Sequence, residues 1–330
     1  MSKDYVYDLT ENWVPQIEAA LLSAFPLNQH PYLNPAISYH LVTGGKRLRP
    51  VLCLAACEQL GGNPDDALPF ATAAEVMHNM FLVHDDLEDG DEVRRDQPTL
   101  WVKYDARNAI NCGDYMIGRA FRLMVDAYRN KKYFAHIMDL FTETYEHTIE
   151  GQAADMNMRG DEEFTIDDYL NIIRLKTGYY LGFTMIGAAI IAGVGEKTEH
   201  QLREIGLLLG PAFQIRDDVL DLTLGKGRGG MIGCDIREGK PSMLFAAALP
   251  QCDYQQRVDL VEIMQKSREE TTIDDVQRVV EIYEKHEIIK FAEQYASDLV
   301  DKAMALIASV DFKNNEVILN SASYMTGRKK

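Results

Sequence analysis

The sequence predicts an all-α protein, and three observations carry that expectation. Apolar residues make up 46% of the 330 residues, yet no persuasive stretch alternates apolar and polar side chains as a half-buried strand does. The apolar residues recur instead at helical spacing, in segments bounded by Gly, Pro and Asn. The run from Tyr179 to Gly195, flanked by Lys176 and by Glu196-Lys197, is apolar on all sides. It falls short of the ~20 apolar residues a spanning helix needs. It therefore reads as a helix buried all round, which implies a large helical protein rather than a membrane span.

The elements follow in order. Trp13–Phe25 forms an amphipathic helix ended by Pro26, and Pro31–Leu41 a second short piece. Thr43-Gly44-Gly45-Lys46-Arg47-Leu48-Arg49-Pro50 comes next: two glycines free the backbone, three cations follow, and Pro50 opens a helix that runs to Leu60. After Gly61-Gly62, Asn63-Pro64-Asp65-Asp66 starts the helix that carries His78, Met80, Phe81 and the acidic residues from Asp85. Helical patterns then cover Tyr104–Tyr128, Tyr133–Met158, Ile166–Ala192 and His200–Leu224. A glycine-rich loop, Gly225–Gly230, precedes helices near Ser242–Ala248, Tyr254–Lys266, Ile273–Lys285, Glu287–Ser309 and Asn314–Met325. No Pro/Ser-rich linker or low-complexity tract divides the chain, so residues 1–330 are expected to form one domain.

The charge excludes some functions. With 34 basic and 51 acidic residues the net charge is −17. Such a chain is a poor nucleic-acid binder, because that binding needs cations to neutralise phosphates. Anionic membrane surfaces would repel it. Five cysteines without a C-x-x-C, and an N-terminus without an apolar signal region, point to a reduced cytoplasmic protein with neither disulfide frame nor zinc site.

The chemistry resides in two copies of Asp-Asp-x-x-Asp, at Asp85-Asp86-Leu87-Glu88-Asp89 and at Asp217-Asp218-Val219-Leu220-Asp221. On a helix, residues i and i+4 share a face, so Asp85 and Asp89 point the same way with Asp86 beside them, and Asp217 and Asp221 repeat the pattern. Two unit charges 4 Å apart repel by roughly 4 kcal/mol at an effective dielectric of 20. A hard cation between them relieves that repulsion, and an all-oxygen donor set suits Mg²⁺, which adds substrate phosphates to one or two carboxylates. Basic clusters accompany the acids: Lys46, Arg47 and Arg49 in one, Arg94 and Arg95 in another, with Arg237 and Lys240 further on. Together they suggest a diphosphate held by side-chain cations on one side and metal on the other. His78 lies two turns before Asp85 on the same face, Gln214 shares the face of Asp217 and Asp221, and Lys176-Thr177 interrupts an apolar helix, where a lysine must reach water, pair or bind an anion. P-loop, dinucleotide-fold, zincin and nucleophile-elbow motifs are absent from the sequence.

These motifs resemble the trans-isoprenyl diphosphate synthases, or polyprenyl synthetases. Gly44-Gly45-Lys46-Arg47-Leu48-Arg49-Pro50, His84-Asp85 through Asp89 with Arg94-Arg95, Gly151-Gln152, Lys176-Thr177, Phe213-Gln214 with Asp217 through Asp221, and Gly239-Lys240 follow the family's order from Gly44 to the C-terminus. The resemblance implies a helical bundle around a deep central cavity, usually as a homodimer, that joins isopentenyl diphosphate to an allylic diphosphate. It implies that Asp85, Asp89 and Asp217 ligate Mg²⁺, three ions per site with substrate bound, with Asp86 and Asp221 in support. It assigns Arg94, Lys176 and Lys240 to the allylic diphosphate, and Lys46, Arg49, His78 and Arg95 to isopentenyl diphosphate. Lys176, Thr177 and Gln214 would stabilise the allylic cation. The basic tail Arg328-Lys329-Lys330 would close over the site.

Three positions depart from the family pattern. Asp96 stands where Gly is common after the Arg pair, Trp101 where His or Tyr is common, and Met231 where a Lys often precedes the Gly-x-Asp of Gly233-Cys234-Asp235; Lys226 or Arg228 is the candidate substitute for that Lys. Phe81 lies one turn, roughly 6 Å, below Asp85, with Met80 beside it. In the family the chain resembles, bulky residues four or five positions before the first Asp act as a floor for the growing chain. By that resemblance Phe81 favours a short product and the thinner Met80 argues against the shortest, so geranylgeranyl diphosphate is expected, with farnesyl diphosphate next. Longer-chain synthase, class I terpene cyclase and non-catalytic regulatory subunit are the competing readings. The Gly-Gly-Lys segment and the second acidic triplet count against the cyclase, and the presence of both triplets counts against the regulatory subunit.

Overall fold

The computed structural model describes residues 3–223 and 232–326, and its helices follow the expected order. They are α1 (Lys3–Ala24), α2 (Asn34–Val42), α3 (Leu48–Gln59), α4 (Pro64–Glu88), α5 (Leu100–Tyr104), α6 (Ala106–Tyr128), α7 (Phe134–Asn157), α8 (Ile166–Ile173), α9 (Tyr179–Ala192) and α10 (Glu196–Asp221). Then come α11 (Cys234–Arg237), α12 (Met243–Ala248), α13 (Tyr254–Met264), α14 (Ile273–Lys285), α15 (Ile288–Ser309) and α16 (Glu316–Thr326). The protein is all-α, as expected. The loop Gly225–Gly230 with Lys226 and Arg228, Met231, and the tail Arg328-Lys329-Lys330 lie outside the described residues.

Local chemistry accounts for the helix ends. The Asn63 side chain accepts from the Asp65 N–H at 3.1 Å and Pro64 opens α4. Thr272 and Asp275 form a reciprocal capping box at α14, and Asp253 with Gln256 does the same for α13. At the other extreme, α1 begins at Lys3 rather than near Trp13 and continues across Pro15. The helix expected over Tyr104–Tyr128 starts at Ala106, after a break at Asp105, whose φ is 71°, and Tyr104 ends the separate short helix α5.

A small hairpin is the one strand feature among the described residues. Val93–Arg94 (β1) pairs antiparallel with Gln97–Pro98 (β2), in the register Val93 opposite Pro98 and Arg94 opposite Gln97. The two turn residues, Arg95 and Asp96, have φ of 53° and 60°. A two-residue turn with both φ positive is the geometry for which Gly, Asn and Asp are preferred. Asp96 therefore fills a position where glycine would serve equally, which explains that departure from the family pattern.

By internal contacts the described chain divides into two compact units. The first comprises residues 1–140, 184–199 and 311–321, and the second 141–183, 200–310 and 322–330. The first unit buries Ile17, Leu21, Phe25, Ile37, Val51, Phe70, Met77, Met116 and Met124. The second has a continuous core that includes Phe164, Tyr169, Ile173, Ile215, Phe245, Leu260, Val279, Tyr283 and Ala296. In this unit α9 and α10 approach at glycines: a Cβ on Gly206 would lie 2.5 Å from the Gly182 Cα.

The stretch Ile166–Ala192 is helical throughout but not uniformly α. Arg174–Gly178 makes one π-helical turn, in which the Tyr179 N–H bonds the Arg174 carbonyl five residues back. Continuity back to Ile166 corrects the length expected from Tyr179–Gly195 alone: these 27 residues are long and apolar enough to cross a membrane by length and composition. Of the most apolar 18-residue window, 67% is buried inside the protein, which matches a core helix.

Candidate active site

In the first unit the acidic end of α4 meets the β1–β2 hairpin. The three aspartates are not equivalent. Asp86 is 1% exposed, and Arg94 holds it through Nε to Oδ1 at 2.5 Å while reaching Asp85 Oδ2 with Nη2 at 3.5 Å. Burial pushes the Asp86 carboxyl up to about 6 against the pull of Arg94, with Asp85 and Asp91 adding to the rise. Its Oδ2 is buried without a hydrogen-bond partner among the described residues. Asp85 and Asp89 remain partly exposed. The helical pattern alone put all three acids on neighbouring faces; tertiary packing draws Asp86 inward and leaves Asp85 and Asp89 facing outward.

The basic cluster of this unit sorts similarly. Arg47, read from sequence as one of three equivalent cations, is buried and left-handed, with φ of 48°. Its Nε donates to Glu18 at 2.7 Å, Nη1 to Glu75 at 2.9 Å and Nη2 to the Leu41 carbonyl at 2.8 Å. That corrects its expected role: Arg47 ties α1, α2 and α4 to the Gly-Gly loop. Lys46 stays exposed, and Arg49 directs Nη1 towards His78 Nε2 at 3.4 Å. Burial, and then the positive charges of Arg49, Arg95 and Arg94, hold the His78 imidazole well below its usual pKa. A neutral ring accepts from Arg49. The Arg95 guanidinium is within 3.1 Å of the position a Cβ on Gly45 would take, so glycine there makes room for it. Trp101 donates its indole N–H to the Asp91 carbonyl at 2.8 Å, which shapes the segment after Asp89. Met80 is buried and Phe81 half-buried, one turn before Asp85.

The second unit holds the remaining expected residues. Lys176 and Thr177 lie in the π turn, a feature that often marks functional positions. Lys176 Nζ pairs with Asp155 Oδ2 at 2.7 Å. Asp155 is 3% exposed and sits one helical turn after Gly151 on α7. A Cβ on Gly151 would be 2.4 Å from the Lys176 backbone nitrogen, so glycine there lets α7 lie against the π turn.

At the end of α10, Asp217 is half-buried, while Asp218 is 4% exposed. Asp218 accepts from the Tyr169 hydroxyl at 2.8 Å, from Gln214 Nε2 at 3.1 Å and from the Met243 N–H at 3.4 Å. Burial and the neighbouring Asp235 raise its pKa. Asp221 accepts the Asp235 N–H at 3.0 Å through its carboxylate, which secures the short α11. Lys240 Nζ lies 3.8 Å from Asp235 Oδ1.

Sequence reasoning missed four of these groups. Asp155 had one signal, the need of a lysine on an apolar helix for a counter-charge. Tyr169, Glu75 and the structural role of Asp218 had none, because each depends on residues distant in sequence.

Among the described residues no three acidic, His or Cys side chains are arranged to hold a metal ion by themselves.

The match to known proteins is broad. The polyprenyl synthetase family model matches residues 30–283. The chain belongs to the polyprenyl synthetase family. It is 35% identical over 269 residues to the geranylgeranyl diphosphate synthase of Saccharolobus solfataricus, covering 80% of this chain and 79% of that one. It is 30% identical over 329 residues to the geranylgeranyl diphosphate synthase of Methanosarcina mazei, covering 98% of each. The polyprenyl synthase from Caulobacter crescentus, solved as a complex with calcium and isoprenyl diphosphate, superposes with a TM-score of 0.87 at 27% identity, over 100% of this chain and 98% of that one. This member of the polyprenyl synthetases is thus an enzyme, a prenyltransferase of isoprenoid biosynthesis with the family's helical fold.

Proposed function

We propose that this polyprenyl synthetase condenses isopentenyl diphosphate with dimethylallyl, geranyl and farnesyl diphosphates in turn and releases geranylgeranyl diphosphate. The observation that carries the site assignment is the division within the first triplet: Arg94 occupies Asp86, while Asp85 and Asp89 stay partly exposed. Phe81, a bulky half-buried residue one turn below Asp85, supports a short product. Relatives that make geranylgeranyl diphosphate support the same length.

The donor set fits Mg²⁺: carboxylate oxygens only, with an unsatisfied Oδ2 on Asp86 behind them. Asp85, Asp89 and Asp217 would hold the metal, three ions per site, with Asp86 and Asp221 fixing the backbone and neighbours around them. When bound, Mg²⁺ supplies positive charge that stabilises a departing diphosphate. Arg94, Lys176 and Lys240 bind the allylic diphosphate; for Lys176 this means leaving or sharing Asp155. Lys46, Arg49, Arg95 and the neutral His78 bind isopentenyl diphosphate, His78 by hydrogen bond rather than charge.

The allylic C–O bond breaks with its electron pair going to the diphosphate. Thr177, Gln214 and the backbone around Lys176 orient their dipoles to the resulting cation. The isopentenyl double bond attacks it, forming the new C–C bond, and the released diphosphate takes the proton from the product cation. Both units act as one synthase domain. The enzyme works as a cytoplasmic homodimer. Free thiols at all five cysteines support the compartment, and exposed Val102 and Ile110 on α5 and α6 support self-association.

The test is a product assay with Mg²⁺, isopentenyl diphosphate and each allylic primer, read by mass spectrometry. A twenty-carbon diphosphate is expected, with turnover lost in EDTA and restored by Mg²⁺. A thirty-carbon or longer product would discard the Phe81 floor and keep the class. No consumption of isopentenyl diphosphate would discard this reading.

A further inference from the structure

The second Asp-Asp-x-x-Asp closes α10. Its middle acid, Asp218, is buried at 4% exposure and meets three elements at once. The Tyr169 hydroxyl comes from α8, the Met243 N–H from the start of α12, and Gln214 Nε2 from one turn earlier on α10. A main-chain N–H can only donate, and an ionised carboxylate can only accept. Gln214 presents its NH₂ group to Asp218, with Nε2 3.1 Å from Oδ1. The amide is planar, so its Oε1 is the end turned away from the carboxylate.

Orientation matters for a group beside a developing cation. An amide that offers its oxygen stabilises positive charge; the same amide turned over offers N–H dipoles and repels it. A glutamine side chain has three rotatable bonds, and nothing in its own chemistry selects one end over the other. We propose that Asp218, itself held by the Tyr169 hydroxyl, is a positioning residue that locks Gln214 with its carbonyl oxygen available to the allylic cation. This inference rests on the reaction assigned above. It separates two acids of the motif: Asp221 secures α11, and Asp218 sets the sign of a neighbouring dipole.

The experiment uses the full-length enzyme with Mg²⁺ and compares wild type, Tyr169→Phe, Asp218→Asn, Gln214→Leu and Tyr169→Phe/Gln214→Leu. Turnover is measured, together with inhibition by an ammonium analogue of the allylic cation and by its neutral hydrocarbon isostere, each with inorganic diphosphate. Misplacement of a reacting-site group by about 1 Å lowers rate by up to about 100-fold, so kcat should fall by about 10- to 100-fold in Tyr169→Phe and Asp218→Asn, with KM for both substrates unchanged. The preference for the ammonium analogue over the isostere should fall with it. In the Gln214→Leu background Tyr169→Phe should have no further effect, because the pair acts only through that amide. An unchanged preference in Tyr169→Phe, or equal effects of Tyr169→Phe with and without Gln214, would show a purely structural pair and overturn the inference. Tyr169→Phe keeps the ring in the core, so the question survives if Asp218→Asn does not fold. Failure of the wild type to consume isopentenyl diphosphate would remove the proposed reaction itself, an outcome distinct from normal turnover with indifferent variants.

Discussion

Replacing Arg47 with Met should destabilise the protein far more than the loss of one surface cation. The guanidinium is fully shielded from solvent, and of its two carboxylate partners Glu75 is 5% exposed and Glu18 36% exposed. The Glu18 contact, more than a third exposed, contributes little. The Glu75 contact decides the magnitude. Without Arg47, Glu75 retains the Asn79 Nδ2 donor at 3.2 Å, which carries no charge to balance the buried carboxylate. Removing one partner of a buried pair costs about 3–5 kcal/mol, and loss of the donor to the Leu41 carbonyl adds to it. Against total stabilities of about 5–15 kcal/mol, that is a large fraction. Urea unfolding followed by circular dichroism measures it. The mechanism predicts a second result: Glu75→Gln in the Arg47→Met background should recover a substantial part of the loss, because it removes the stranded charge. Additive effects, or a loss under about 1 kcal/mol, the scale of an exposed pair, would refute the view that Arg47 is a buried clamp.

Other expectations follow from the same structure. His40 is buried, and burial together with Arg94 and Arg95 depresses its pKa to about 3. Its contribution to stability is therefore present above the unfolded value of about 6.5 and is lost as pH falls towards 3. Wild type should lose about 2 kcal/mol more than His40→Gln between pH 7 and pH 5, measured by urea midpoints; parallel curves would contradict it. Gly151→Ala places a Cβ 2.4 Å from a backbone atom of the π turn, which cannot yield as a side chain would. Overpacking of this kind costs about 1–3 kcal/mol, and kcat should fall with the displaced Lys176 and Thr177, as steady-state assays would show. Phe81→Ala should lengthen the product beyond twenty carbons in mass spectra; an unchanged product would place the floor elsewhere.

Local chemistry makes some of this protein readable without coordinates. The α14 helix matches its expected span, Ile273–Lys285, because Thr272 and Asp275 close a capping box that depends on four consecutive residues. The start of α4 at Asn63-Pro64 and the helical class itself are legible for the same reason, since caps, prolines and apolar spacing act over one or two turns. The family was equally legible, because its motifs are short and ordered along the chain.

What the sequence alone could not determine is which member of each charged cluster faces substrate and which is committed to the fold. Lys46, Arg47 and Arg49 are alike as residue types, yet Arg47 is buried and clamped by carboxylates from α1 and α4 while Lys46 is exposed. Asp85, Asp86 and Asp89 are identical side chains, yet Asp86 is buried against the Arg94 guanidinium, which reaches the partly exposed Asp85 only at 3.5 Å. The π turn at Arg174–Gly178 and the Tyr169–Asp218–Gln214 contacts have no local signature either. Each arises where segments remote in sequence pack together, and burial there gives chemically equivalent side chains different partners. Ordered motifs and their spacing determined the class and the list of candidate residues; tertiary packing decided which of them, such as Arg47 and Asp218, are committed to contacts within the fold.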